Sequence, residues 1–238
     1  MCSLSIISTA GGGYRLVHSR DEQRSRSEAA APAWHDLENG RRAMFPVDPD
    51  SGGTWVALRD DGACLAIMNV NPEPPPELDR SELVSRGKIV PALLEEDEPW
   101  TLTAIRRVMT ASFAPFRLVA VSPEGEVAAL TSFGGERSSV DQPGTPAVWA
   151  SSGLGDSVVE DRIPLFEGLV GANPTAGSQD AFHAHRWPGR GAASVLMSRR
   201  DARTVSVTSV SVERDGDELG EVRMDYTVVP EGPSDGDD

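Results

Sequence analysis

The 238-residue chain carries only two cysteines, Cys2 and Cys64, too few for the disulfide framework that holds small secreted folds together. Basic residues are also scarce: 22 Lys and Arg stand against 37 Asp and Glu, a formal charge of −15. Nucleic-acid binders need a basic face to neutralise phosphates, and anionic membrane surfaces make the same demand. Neither partner is expected. Long apolar runs are missing, and nothing approaches the roughly 18 residues of a membrane-spanning helix. The opening Met1-Cys2-Ser3-Leu4-Ser5-Ile6-Ile7-Ser8 lacks the basic n-region of a secretory signal. Together these absences predict a protein of the reducing cytoplasm. What remains, 39% hydrophobic and 25% charged residues, is the mix of an ordinary globular fold.

Short β-like runs separated by Gly and Pro dominate the chain. Residues 3–9 and 14–19 flank Gly11-Gly12-Gly13, and residues 54–59 and 63–69 flank Asp60-Asp61-Gly62. Asp-Gly marks a hairpin because it accepts the positive φ of a tight turn. Residues 116–122 and 126–132 repeat the pattern, and runs at 192–198, 204–213 and 219–229 predict a closing meander. Helical spacing is confined to 81–95, 100–112 and 156–170. Residues 28–49 and 72–80 read as loops that shape specificity, and 172–180 as a polar linker. Hairpins with helices in separate blocks predict an α+β fold rather than a doubly wound parallel sheet. One domain over 1–229 is expected, followed by a disordered acidic tail at 230–238.

Cys2 is the residue with most chemical content. Removal of Met1 would leave one residue bearing both a thiol and an α-amine, whose ordinary pKa of about 7.7–8.0 makes it a usable base. The returning strand ends in Ser19-Arg20-Asp21-Glu22, where Arg20 would favour a thiolate and Asp21 would hold the ammonium. Asn69, at the end of the second hairpin, is a suitable oxyanion donor. Gly52-Gly53-Thr54-Trp55 lacks the following helix and Lys of a phosphate loop, so it reads as structural, with Trp55 facing a pocket. His183 and His185 lack further ligands at metal-site spacing and read as a solvated loop. Cys64 reads as a buried thiol.

Met1-Cys2, Tyr14 to Glu22, Gly52 to Trp55, Ala66-Ile67-Met68-Asn69 and Ser85-Arg86-Gly87 occur in that order. In this the chain resembles the NRDE family, also called the transport and Golgi organisation protein 2 family, which is itself similar to N-terminal nucleophile hydrolases of the choloylglycine hydrolase and penicillin V acylase type. The resemblance implies a four-layer α-β-β-α sandwich of two mainly antiparallel sheets and cleavage of a linear amide C–N bond. It puts Cys2 at the nucleophile, Arg20 and Asp21 beside it and Asn69 in the oxyanion hole. Trp55, Asn71 and Arg190 are expected at the substrate, with no metal and no cofactor. Ser19 and Asp156 depart from the family pattern, and the carboxylate of Asp156 would oppose an oxyanion. The alternative that the resemblance implies is a non-catalytic protein handling haem or a lipid or acyl-CoA. Beyond a small molecule, no partner or oligomeric state is legible.

Overall fold

The computed structural model describes residues 2–79, 81 and 83–231; Met1 and most of the tail expected at 230–238 lie outside the described residues. The first sheet is built from β1 (Cys2–Ser8), β2 (Tyr14–Gln23), β10 (Ala147–Ser151), β11 (Ala202–Asp215) and β12 (Glu218–Val228). Its order is β10-β1-β2-β11-β12. The second sheet runs in chain order through β3 (Ala30–Asp36), β4 (Arg42–Val47), β5 (Val56–Arg59), β6 (Cys64–Asn69), β7 (Phe116–Val121), β8 (Val127–Gly134) and β9 (Arg137–Asp141). Every pairing of these strands is antiparallel.

Layering follows from which faces are apolar. All four residues of β5 and the first five of β6 are buried, so this sheet must be covered on both sides. Helices α1 (Ile89–Leu94) and α2 (Leu102–Arg106) cover its outside. Its other face meets Leu4, Ile6, Leu16, Val210 and Val212 of the five-stranded sheet in one continuous core. On that sheet's outside lie α3 (Arg162–Phe166) and α4 (Ala176–His183), around a smaller cluster of Ile7, Phe166, Val170, Phe182 and Val195. The fold is an α+β sandwich of two antiparallel sheets.

Several expectations need correction. The helix expected over 81–95 shrinks to α1 after a 3₁₀ turn at Arg86–Lys88. Pro91 of α1 and Pro164 of α3 sit in first turns, where a missing N–H costs nothing. The loop expected at 28–49 is the β3–β4 ribbon at the sheet edge, where Pro32 is tolerated at an irregular register. The linker at 172–180 contains the start of α4, whose Thr175 and Ser178 form a capping box. Finally, 192–198 is no strand, because Arg162 takes the carbonyls of Ala193 and Ser194.

Candidate active site

Strand pairing brings the chain start to the site. Cys2 lies directly opposite Arg20 in the β1–β2 register, and Ser3 opposite Ser19. Alternation along β2 sends His18 and Arg20 towards the other sheet and Ser19 and Asp21 towards the helices. Cys2, Arg20, Asp21, Trp55 and Asn69 line one cavity of about 270 Å³. Asn69, with Arg86, also lines a neighbouring trough of about 720 Å³, walled by Val70, Pro72, Leu78 and Leu154. Asn71 lines the trough rather than the Cys2 chamber.

Cys2 is 7% exposed. Burial pushes its thiol up, while a hydrogen bond with the Asp21 backbone and the charge of Arg20 act in the opposite direction. Arg20 does not point its full charge at the sulfur. Its guanidinium donates to Asp48 at 2.6 Å and stacks over the Trp55 ring at 4.4 Å. Asp48 also accepts two hydrogen bonds from Arg26 and the N–H groups of Asp50 and Ser51. Burial would raise the Asp48 carboxyl, but Arg26, the Ser51 N–H and Arg20 hold it below the usual carboxylate range.

Asp21 is fully buried. Its Oδ1 accepts from the Thr204 hydroxyl at 2.6 Å, and its Oδ2 lies 3.7 Å from Arg162. Burial pushes the Asp21 carboxyl up against the pull of Arg162 and Thr204. Arg162 itself is 1% exposed and donates to Ser3 Oγ at 2.8 Å as well as to the two carbonyls named above. It is thus the arginine beside Asp21. Arg190, the expected substrate contact, is exposed, pairs with Asp161 at 2.6 Å and lines neither cavity. Its backbone turns with the 187–194 loop, where its carbonyl accepts from Ala193 and Ser194.

Both family departures have structural explanations. Ser19 faces the helices, its Oγ 2.7 Å from Nδ1 of His183, whose Nε2 is 2.7 Å from Ser5 Oγ. His183 is therefore a buried clasp between α4 and the sheet, which corrects its expected place in a solvated loop. Asp156 is a rim staple. Its carboxylate accepts from the backbone N–H of Asn71 and of Ser152, each at 3.0 Å, closing the far edge of the trough.

Sequence reasoning gave no site role to Asp48, Arg86 or Arg162. The turn signature after Asp48, Pro49-Asp50-Ser51-Gly52, was a usable signal for a carboxylate that caps its own loop. So was an arginine among Val159, Ile163 and Phe166. The Gly52-Gly53 and Ser85-Arg86-Gly87 motifs also explain each other. A Cβ on Gly53 would sit 2.5 Å from the Gly87 carbonyl, which accepts from Thr54 N–H at 3.1 Å. Gly53→Ala is expected to part the loops, costing about 1–3 kcal/mol as overpacking does. Thermal unfolding would read the loss, and faster Cys2 alkylation the opened chamber.

Among the described residues no three His, Cys, Asp or Glu side chains converge as a metal site, and no helix is long and apolar enough to cross a membrane. No histidine lines either cavity: His35 stacks on Phe45 and His185 meets Trp187 edge to face.

The backbone is similar to solved structures at low identity. One is a Caenorhabditis elegans N-acylethanolamine-hydrolyzing acid amidase ortholog, with TM-score 0.55 and 14% identity, covering 88% of this chain and 92% of that one. Penicillin V acylase from Agrobacterium tumefaciens gives 0.51 and 12%, over 89% and 82%. A C2A mutant of conjugated bile acid hydrolase from Clostridium perfringens gives 0.51 and 11%, over 100% and 95%. These likenesses establish a shared fold. No curated protein matches the sequence. The family model for Transport and Golgi organisation 2 matches residues 1–166, and the chain belongs to that family.

Proposed function

We propose that the protein, once Met1 is removed, is an amidohydrolase that cleaves a linear, non-peptide amide with Cys2 as nucleophile. The α-amine takes the thiol proton as the sulfur attacks the carbonyl carbon, then returns it to the departing amine. Asn69 donates to the oxyanion. The acyl-thioester is hydrolysed by water, regenerating the thiol. Arg20 serves by holding Trp55 and Asp48 as one wall, and Asp21 by anchoring the terminal nitrogen, with Arg162 behind it. In this reading Asn71 helps form the trough that receives the larger half of the substrate. The observation that carries it is the meeting of Cys2, Arg20, Asp21 and Asn69 around one cavity.

The test is intact-mass analysis after incubation with a thiol-reactive acyl probe. A Met1-free chain is expected to gain one acyl group on the Cys2 peptide, faster as pH rises because burial holds the thiol protonated. Cys2→Ala should gain none. A Met1-free wild-type chain that stays unlabelled would overturn the proposal and leave the non-catalytic handling of haem or an acyl ligand.

A further inference from the structure

The face of the five-stranded sheet that meets the other sheet is apolar at Leu4, Ile6, Leu16, Val210 and Val212. Next to the Cys2 chamber it turns polar. His18 stands opposite Thr208, and Arg20 opposite Ser206, all on this inner face. His18, Thr208 and Ser206 are 0% exposed. Both ring nitrogens of His18, Thr208 Oγ1, Ser206 Oγ and the indole Nε1 of Trp55 have no hydrogen-bond partner among the described residues. Trp55 lies beneath Arg20, and both line the chamber.

Buried polar atoms without partners are costly, and native proteins satisfy them with ordered water where protein groups do not reach. Burial, with the nearby charge of Arg20, drives the His18 ring down to about 3; beyond Arg20, whose guanidinium is paired with Asp48, the row is neutral at physiological pH. It holds hydroxyl, imidazole and indole groups and no carboxylate. That chemistry suits neither a cation nor an anion. It suits water, which can donate and accept along the file.

We infer that His18, Thr208, Ser206 and Trp55 hold a file of ordered water between the sheets, opening on the Cys2 chamber and supplying the water that hydrolyses the acyl-thioester. The inference rests on Cys2 being the nucleophile. During that step the mouth of the chamber is filled by the acyl group, and a supply from behind avoids crossing it. The water oxygen bonds to the acyl carbon and the C–S bond breaks. One water proton ends on the Cys2 sulfur and the other leaves with the carboxylic acid.

The experiment compares wild type with Thr208→Val and with Ser206→Ala, two small changes that preserve the strand. Rapid-quench mass spectrometry would follow acylation and deacylation of Cys2 separately. The expected result is unchanged acylation with deacylation slowed by about tenfold, the effect of one lost interaction of about 1.4 kcal/mol, so that acyl-enzyme accumulates. Acylation and deacylation falling together, or neither changing, would overturn the inference. A wild-type chain that is never acylated would instead overturn the nucleophile itself. A high-resolution crystal structure of the wild type gives a second reading, and a dry gap between His18 and Thr208 in an enzyme that does acylate would sink the water file alone.

Discussion

Replacing Arg162 by methionine is expected to be among the most damaging single changes in the molecule, lowering stability by about 3–5 kcal/mol, the cost of stranding one partner of a buried ion pair. The side chain is 1% exposed and serves Ala193 O, Ser194 O and Ser3 Oγ at 2.6–2.9 Å, with Asp21 at 3.7 Å. Methionine keeps an apolar stem but leaves the Asp21 carboxylate without the guanidinium and two carbonyls without donors. Arg162→Lys should recover only a minor part, because a single ammonium cannot reproduce the fork. Urea denaturation would measure both. A loss below about 1 kcal/mol, the range of exposed pairs, would mean that solvent reaches this group and that Asp21 is held by other means.

Acid is expected to unfold the protein well above the range in which its carboxylates titrate. His18 and His183 are buried, and burial lowers both pKa values, to about 3 for His18 and well below the usual 6.5 for His183. A folded pKa lowered in this way means that the unfolded chain binds the proton more readily. The contribution is therefore complete above pH 6.5 and lost as pH falls towards 3, at up to about 1.4 kcal/mol per pH unit for each ring. Asp21, raised by burial, acts in the opposite sense over the lower part of this window. Asp48 and Asp61, held below the usual value, add to the loss only below about 3.8. Denaturation midpoints from pH 7 to 4 would show the fall. His18→Gln should flatten it, and a curve level down to pH 5 would show that both rings can take up a proton in the folded state.

How much of this was legible depends on whether the signal was local. The hairpin around Asp60-Asp61-Gly62 was visible because its turn demands particular residues, and Gly62 has φ +86. The pairing of Cys2 with Arg20 followed from hairpin length. Helix α4 was hidden because its sequence, Ala-Gly-Ser-Gln-Asp-Ala-Phe-His, is mostly polar; it docks through His183, Gln179 and Phe182 rather than an apolar stripe. The expected strand at 192–198 had the right side chains, but its carbonyls are engaged by a distant arginine. Arg190 was chosen for its nearness to an expected strand and Arg162 was not considered, whereas burial decides which arginine can face Asp21. Asp156 read as a charge hostile to an oxyanion; tertiary contacts make it a link between two loops, which no local pattern displays.

Strand β2 has a further consequence. From His18 to Asp21 four consecutive residues serve in turn the gap between the sheets, the helix layer, the Cys2 chamber and the buried arginine. Because successive side chains point to opposite faces, inserting or deleting a single amino acid between Tyr14 and His18 would exchange all four assignments at once. Working variants of this protein should therefore keep the spacing from Tyr14 to Asp21 fixed and vary in length elsewhere, as in the tip of the 135–136 turn.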